Sequence, residues 1–486
     1  MKKKTENEMN RVLMSLSEIE ELRKTAVSSI YRQSYHIQPI TGLMNDPNGF
    51  IYNNGMWHLF YQWCPWGAFH GLKHWYHVVS EDLINWKNLG VALYPDTYFD
   101  NGGDFTGTAY SINGLIHLFY SGIHSDKNSE AESYTCMAKL TDDNRVKKYS
   151  APLFGPSDEY THNQRDPKII YDDDSGKYYI FIGAQTKDQN GCIIVYESDD
   201  PKKNWHMRGR LHVPGFESFG SMWECPSLER LGSHDILIFC PQQLTLEGHG
   251  TGTNHNGYII GSMDFDSLTF TPDGAFHLLD FGFESYAAEC AANTEEANKK
   301  YLIAWMGLPD SSFPTDKEAW SGCMTLPREL TIRHRRLIQR PIHGLESMRK
   351  ALVSPSLKVL PDTAEIAVTI YPDDFNMTLF SKPDGTGGLS IDYKDKTREI
   401  TLDRSGMNIR FNVENGESRT RVLENGLTHL RIFIDKSSVE IFVNDGDAVF
   451  TSRIFPEADE HGFTISECTS INIWELGHTL EDDFII

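Results

Sequence analysis

The sequence lacks the features of a secreted or membrane-bound chain. No segment approaches the roughly 20 consecutive apolar residues that a transmembrane helix needs. Residues 2–4 are basic, but the apolar stretch of a signal peptide does not follow them. The 8 cysteines form no C-x-x-C pair, which in a chain of 486 residues indicates reduced, buried thiols rather than a disulfide framework. These absences predict a cytoplasmic protein.

Basic residues are also scarce, with 45 Lys and Arg against 68 Asp and Glu and a net charge of −23. This balance argues against nucleic acid and anionic membrane as partners, because both need a basic face. Gly250-Thr251-Gly252 lacks the third glycine of a nucleotide-binding loop. The sequence predicts no cofactor and no metal, and it contains no signature of an oligomeric state.

What the sequence does contain is an acidic residue that returns about every 60 positions. The series is Asp46, Asp104, Asp166, Glu224 and Glu284, and an apolar strand follows each member. Such a period is typical of a repeat architecture, and each unit has the size of a four-stranded propeller blade. The pattern predicts an all-β protein with a five-bladed β-propeller over residues 36–335. Since the first strand of each blade lines the central channel, Asp46, Asp166 and Glu224 are predicted to share a pocket.

The flanking segments have a different texture. Residues 1–35 carry an apolar stripe at helical spacing, which predicts a short helical segment. Residues 336–355 are predicted to be a linker. Residues 356–486 contain short, strictly alternating strands between turn signals, which indicates a β-sandwich domain. We expect a structural role for this domain.

Three carboxylates around one channel indicate a catalytic site. Carboxyl pairs that differ in protonation are the equipment for cleaving a glycosidic bond, and like charges packed together leave at least one of them protonated. Arg165 is expected to keep its neighbour Asp166 ionised. Glu224, between Trp223 and Cys225, is expected to hold a proton and act as the general acid. A lone strand-end Asp is more often a turn former, but three at one phase of a repeat favour a site.

Six motifs carry a resemblance to a known family. They are Met44-Asn45-Asp46-Pro47-Asn48-Gly49, Phe105-Thr106-Gly107-Thr108-Ala109, Arg165-Asp166-Pro167-Lys168, Trp223-Glu224-Cys225-Pro226, Thr325-Leu326-Pro327-Arg328-Glu329-Leu330, and the stretch 435–444. In this order they resemble glycoside hydrolase family 32, the invertases and β-fructofuranosidases. The stretch 70–75 looks most like the bacterial members that act on sucrose 6-phosphate.

The resemblance implies a retaining mechanism with a covalent fructosyl-enzyme. Asp46 would be the nucleophile, Glu224 the acid and base, and Asp166 the stabiliser of the oxocarbenium-like state. The residues implied to line the fructosyl pocket are Asn45, Gln62, Trp66, Phe105, Thr106, Arg165 and Trp305. Two positions depart from the family pattern, since Thr106 stands where Ser is common and Tyr76 where Gly is usual.

The expected function is therefore hydrolysis of sucrose 6-phosphate, sucrose or both, with release of fructose. Lys73 is the candidate cation for a phosphate on the glucosyl unit, because no other cation lies so near a pocket motif. Three alternatives stay open. A fructan exohydrolase would act on inulin or levan, an inverting five-bladed hydrolase would act on arabinans, and a glycan-binding propeller would bind without catalysis.

Overall fold

The computed structural model describes residues 16–126, 130–246, 253–294 and 299–486. Helix α1 (Leu16–Val27) accounts for part of the predicted amino-terminal helical segment, and residues 1–15 lie outside the described residues. Ile19 and Ala26 are its buried positions, so one face of the helix packs on the protein. Within the described residues, no helix has the length and apolar character needed to cross a bilayer.

Strands follow α1 as consecutive antiparallel sheets, each built from neighbouring segments of the chain. The first sheet contains β1 (Gly42–Asn53), β2 (Met56–Cys64), β3 (His74–Ser80) and β4 (Trp86–Leu93). The second contains β5 (Asp104–Ile112), β6 (Leu115–His124), β7 (Glu132–Leu140) and β8 (Val146–Lys148). The third contains β9 (Tyr160–Asp172), β10 (Lys177–Thr186), β11 (Gly191–Ser198) and β12 (His206–Arg210).

Two more sheets continue the series. The fourth contains β13 (Met222–Leu231), β14 (His234–Gln242), β15 (Gly257–Asp264), β16 (Thr269–Pro272) and β17 (His277–Leu278). The fifth contains β18 (Tyr286–Cys290), β19 (Lys300–Trp305), β21 (Arg328–Arg333) and β22 (Arg336–Pro341), while β20 (Trp320–Ser321) pairs in parallel with β1. Residues 336–355, predicted as a linker, thus include the last strand of the fifth sheet.

Asn-Gly pairs form the hairpin turns that join the first two strands of the first and second sheets. Asn54 and Gly55 both have positive φ between the paired Asn53 and Met56, and residues 113 and 114 repeat this arrangement between β5 and β6. Two central residues with positive φ form the hairpin turn whose twist matches that of the strands. These turns fix the register between the first and second strands of the two sheets.

The first strands of the five sheets contact one another in cyclic order. β1 contacts β5, β5 contacts β9, β9 contacts β13, β13 contacts β18, and β18 contacts β1. Between neighbouring sheets lie apolar clusters of buried side chains, such as the one that joins Phe119 with Ile180 and Ile194. Residues about 60 apart in the sequence therefore meet around one centre.

The carboxy-terminal part forms two further sheets. One has the order β23 (Arg349–Val353), β33 (Ser470–Leu476), β24 (Thr363–Thr369), β29 (His429–Asp435), β30 (Ser438–Val443), β31 (Ala448–Arg453). The other has the order β28 (Ser418–Val422), β27 (Glu399–Gly406), β26 (Gly388–Lys394), β25 (Phe375–Ser381), β32 (Gly462–Ile465). A single apolar core contains side chains from both sheets, among them Ile366 and Ile391. β34 (Leu480–Glu481) returns to the first sheet and pairs with β4.

The two halves of the chain meet at a buried polar junction. Asp435 accepts the backbone N–H groups of Ser34, Tyr35 and His36 over 2.7, 2.9 and 3.0 Å. The His36 ring then bridges Asp435 and Glu440, with 3.0 Å at each nitrogen. Every one of these groups is buried, so the motif at 435–444 fixes the relative position of the two halves.

Candidate active site

Each first strand carries a β-bulge at the same place. The extra residues lie at 45–46, 106, 166–167, 225–226 and 287–288. Asp166, Cys225 and Ala287 have positive φ there. A bulge breaks the alternation of side chains and turns one of them toward a new direction. The repeated bulge is thus the local reason why the acidic side chains leave the sheets and face the common centre.

Asp46 lies at the bulge of β1 among neutral donors. Its Oδ1 accepts the Asn45 side-chain amide over 3.1 Å. Its Oδ2 accepts the Thr106 hydroxyl over 2.5 Å and the Gln62 amide over 3.3 Å. These contacts leave the carboxylate in a defined orientation. They also bring together four residues that the sequence predicted as neighbours.

Asp166 lies beside Asp46, and Cys225 lies between them. The backbone N–H of Cys225 donates to Asp166 Oδ2 over 3.0 Å. The Cys225 Sγ is 3.7 Å from Asp166 Oδ2 and 3.8 Å from Asp46 Oδ2. The backbone N–H of Asp166 donates to Ser121 Oγ over 2.8 Å, which holds the bulge in place. Two carboxyl groups therefore face one thiol.

Glu224, the residue before Cys225, has charged and neutral donors on separate oxygens. Arg165 donates to Oε1 from Nε and Nη2 over 3.1 and 2.6 Å. Gln242 and the Tyr286 hydroxyl each donate to Oε2 over 2.6 Å. The charge of Arg165 lowers the pKa of Asp166, as predicted, but its hydrogen bonds go to Glu224 of the neighbouring first strand.

The acids change one another's protonation. Burial raises the pKa of Asp46 above its usual value, and the charge of Glu224 adds to this, while the bond from Thr106 opposes it. Burial raises the pKa of Asp166 to about 7; the charge of Arg165 opposes the rise, and the charges of Glu224 and Asp46 add to it. Close to neutral pH Asp166 is therefore partly protonated, first because it is buried and then because two other carboxyl groups lie nearby.

Two further predicted pocket residues border the acids. Lys73 is buried and donates to Asn45 Oδ1 over 2.5 Å. Trp305, buried at the end of β19, lies with its ring 6.5 Å from that of Tyr286 and 6.2 Å from that of His70. Lys73 thus reaches Asp46 through Asn45 and also by its charge, which lowers the pKa of Asp46, whereas Trp305 reaches Glu224 through Tyr286.

Trp66 and Phe105 have other contacts. The Trp66 ring packs edge-on against His74 at 5.4 Å. The carbonyl oxygen of Phe105 accepts from Trp75 Nε1 over 3.1 Å, next to Thr106 in the sequence.

Among the described residues, no group of three or more His, Cys, Asp or Glu side chains is arranged to hold a metal ion.

The remaining two acids of the repeat lie outside the cluster. Asp104 is fully buried, 3.5 Å from the ammonium of Lys148. Glu284 accepts from Arg404 over 2.7 Å and from the backbone of Arg453 over 2.8 Å. Both thus serve the fold, Asp104 inside the second sheet and Glu284 at the contact between the two halves.

Sequence reasoning missed two donors to Glu224. Gln242 ends β14, the second strand of the fourth sheet, and Tyr286 begins β18, two residues after Glu284. Tyr286 directly precedes the bulge of its strand, as Glu224 precedes Cys225 at the bulge of β13. The phase of the repeat was thus a signal that could have located Tyr286.

The site is that of a glycoside hydrolase, with clustered carboxyl groups that are held by different sets of donors. Two family models match the chain: the glycosyl hydrolases family 32 N-terminal domain over residues 36–341, and the family 32 C-terminal model over residues 347–475. The chain belongs to glycosyl hydrolase family 32.

Named relatives agree with this assignment. A sucrose-6-phosphate hydrolase of Staphylococcus xylosus is 36% identical over 92% of this chain and 92% of its own length. The structure of a sucrose-6-phosphate hydrolase from Lactobacillus gasseri has a TM-score of 0.88 at 33% identity, and covers 96% of this chain and 98% of that one. A Bombyx mori β-fructofuranosidase mutant in complex with sucrose has a TM-score of 0.83 at 28% identity, with 98% and 100% coverage.

Proposed function

We propose that the protein is a retaining β-fructofuranosidase that hydrolyses sucrose 6-phosphate, and also sucrose, with release of fructose. The observation that carries the proposal is the difference between two neighbouring carboxyl groups. Asp46 accepts only neutral donors, as suits a nucleophile, whereas Glu224 is held by a guanidinium, an amide and a phenol. The sucrose-6-phosphate hydrolases among the relatives support the choice of substrate.

The reaction follows from these positions in two steps. In the first, Asp46 attacks C2 of the fructosyl unit while Glu224 gives its proton to the departing glucosyl oxygen. In the second, Glu224 takes a proton from water, and the water oxygen displaces Asp46 from C2. Asp166 binds fructosyl hydroxyl groups, and its ionised form stabilises the positive charge that develops on the ring.

The same proposal includes the architecture. The cyclic contacts of the five first strands support a five-bladed β-propeller around the three acids. The shared core of the last two sheets supports a β-sandwich. We retain the predicted division into 36–335 and 356–486, with β22 added to the first domain. A cytoplasmic location fits a phosphorylated substrate, because a charged sugar does not cross a bilayer unaided.

A substrate panel tests the proposal. Sucrose, sucrose 6-phosphate, raffinose and inulin are compared, and we expect the highest kcat/KM for sucrose 6-phosphate. Growing release of fructose from inulin would instead favour a fructan exohydrolase. The anomer of the first product, read by NMR, should be the β-anomer of fructose, since two displacements retain configuration. An inverted product would reject Asp46 as a nucleophile.

Variants test the roles of the two acids. Asp46→Asn and Glu224→Gln should each lower kcat by at least about a thousandfold, because each removes a group that reacts. Azide should restore turnover in Asp46→Ala with an inverted fructosyl azide as product. The matched control is Asp173→Asn, an exposed acid in the turn after β9, which should keep full activity. Retained activity in either active-site variant would overturn the assignment.

A further inference from the structure

We propose that Lys73 is a positioning residue that sets the orientation of two side-chain amides, those of Asn45 and Gln62, and through them the donors that face Asp46. The inference rests on the proposed function, since it assigns a task to Lys73 within that reaction. It differs from the expectation that Lys73 binds a phosphate on the leaving group.

The first step is the position of Lys73. It lies just before β3, and only 2% of the residue is exposed. Its ammonium donates to Asn45 Oδ1 over 2.5 Å. An ammonium has three donors and no acceptor, so the Asn45 carbonyl oxygen must be the atom that faces it. The Asn45 amide nitrogen is then forced to the other side, toward Asp46 and Gln62.

The second step carries this orientation to Gln62. Asn45 Nδ2 donates to Gln62 Oε1 over 3.0 Å. Gln62 must therefore direct its own nitrogen the other way, and it donates to Thr106 Oγ1 over 2.5 Å and to Asp46 Oδ2 over 3.3 Å. Because Thr106 already accepts from Gln62, its own proton is free to go to Asp46 Oδ2 at 2.5 Å.

The result is a carboxylate that faces only donors. Asn45, Gln62 and Thr106 supply them, and each direction follows from the one before, back to Lys73. An amide that rotated by half a turn would place a carbonyl oxygen against the Asp46 carboxylate. Such a contact repels the charge and removes a hydrogen bond, which misaligns the nucleophile.

The geometry also separates this role from phosphate binding. A residue that is 98% covered and bonded to Asn45 is poorly placed to meet a group on the glucosyl side. Positioning of the nucleophile affects every substrate equally, since the fructosyl unit is common to all of them. A phosphate ligand affects the phosphorylated sugar alone.

The test is a double-mutant cycle measured on sucrose and on sucrose 6-phosphate. Lys73→Met should lower kcat about 10- to 100-fold on both sugars, with KM changed less than threefold and the ratio between substrates unchanged. Asn45→Ala should have a similar effect. Because Lys73 acts through Asn45, and otherwise only through its charge on Asp46, the combined loss in the double variant should be far smaller than the product of the two single losses. Lys73→Arg, which keeps the donors, should recover part of the loss.

Two results would overturn the proposal: additive effects in the double variant, or a loss confined to sucrose 6-phosphate, which would make Lys73 a phosphate ligand. A second measurement does not depend on turnover. The side-chain amide resonances of Asn45 and Gln62, seen by NMR with selective labelling, should shift and exchange faster in Lys73→Met, and unchanged resonances would reject the relay. If the wild-type enzyme hydrolysed neither sugar, the proposed function would fail while this measurement still stood.

Discussion

The Tyr286 hydroxyl donates to Glu224 Oε2 over 2.6 Å, from the fifth sheet to the fourth. Tyr286 is buried, so this bond forms away from bulk water. In the proposed reaction Glu224 loses its proton as the glucosyl oxygen departs. The negative charge that remains is then held by Tyr286, Gln242 and Arg165 together, and hydrogen bonds to a charged group are among the stronger ones.

Tyr286→Phe tests this contact. The loss of a hydrogen bond to a charged group costs about 1.5–3 kcal/mol, which corresponds to a fall in kcat of about 10- to 100-fold. Steady-state kinetics on sucrose would measure it, with KM changed little. Tyr171→Phe is the control, since Tyr171 lies on the surface near the end of β9. Equal kcat values for the wild type and Tyr286→Phe would remove the hydroxyl from the mechanism.

Gly322→Ala should lower activity, because the added methyl group would displace the backbone next to Asp46. Gly322 has a φ of 82°, and a Cβ there would lie 2.2 Å from the Met44 carbonyl oxygen and 2.9 Å from Trp305 Nε1. Met44 is two residues from Asp46, so relief of the clash would move the Asp46 carboxyl. We expect kcat/KM to fall at least about tenfold, which corresponds to a rise of roughly 1.4 kcal/mol in the activation free energy.

The control for this change is Gly55→Ala. Gly55 has a similar φ of 84°, but nothing lies within 4 Å of the added Cβ. It should cost only the backbone strain of about 1 kcal/mol in the free energy of unfolding and leave kcat/KM intact. Equal losses of activity in both variants would mean that strain, rather than displacement of the backbone next to Asp46, governs the effect.

Asp166→Asn should make the protein more stable than the wild type, and the difference should increase with pH. The pKa of Asp166 is raised to about 7 in the fold, first of all by burial. Between pH 4 and 7 the folded state therefore binds more protons than the unfolded state, and the wild type loses free energy of unfolding as the pH increases. The variant does not lose this free energy of unfolding, which amounts in full to a few kcal/mol, on the order given by the pKa shift. The variant should be inactive.

Urea unfolding at pH 5 and pH 8 measures the effect of Asp166→Asn. The difference in free energy of unfolding between the variant and the wild type should grow toward pH 8 and level off beyond it. Asp173→Asn, at an exposed position, should show no such growth. A difference that shrank with pH would contradict the sign of the shift.

His36→Gln should weaken the junction between the two halves most strongly at low pH. Burial lowers the pKa of His36, but the bonds to Asp435 and Glu440 outweigh it and raise the pKa to about 9. The resulting stability is complete below the unfolded value of about 6.5 and is lost as the pH rises through 9. The variant should thus lose about 3 kcal/mol more at pH 6 than at pH 9.5.

Chemical unfolding across this pH range checks the prediction for His36. The control is His429→Gln, because His429 pairs with Asp445 over 2.9 Å at a partly exposed site. Its effect should stay within about 1 kcal/mol at every pH, as is typical of surface pairs. A loss for His36→Gln that did not change with pH would assign the junction to packing alone.

Much of the site could be predicted because it follows the repeat. The spacing of about 60 residues places Asp46, Asp166 and Glu224 at similar positions in the first, third and fourth sheets, and the structure brings them together through Cys225. Tyr286 belongs to the same phase but is not acidic, so a search for carboxylates passed over it. The sequence alone could not reveal the shared bulge, since backbone pairing determines it.

Other details depended on which neighbour a side chain reached. Arg165 was assigned to the acid beside it in the sequence, yet its guanidinium donates to Glu224, 59 residues away. Asp104 and Glu284 keep the spacing but are paired with Lys148 and Arg404. Adjacency in the sequence is a poor guide to ion pairs in a repeat, because a side chain can reach a residue of the neighbouring sheet as easily as one beside it in the chain.

The pairing of β34 with β4 has a consequence for synthesis. The outer edge of the first sheet is covered by residues 480 and 481, and the Tyr76 hydroxyl donates to the Ile485 carbonyl over 2.8 Å. A nascent chain can therefore form the second to fifth sheets before residues 480 and 481 are made, and only then close the outer edge of the sheet that bears Asp46. A protein arrested shortly before position 480 would expose an open strand edge, and quality-control proteases would have a ready substrate.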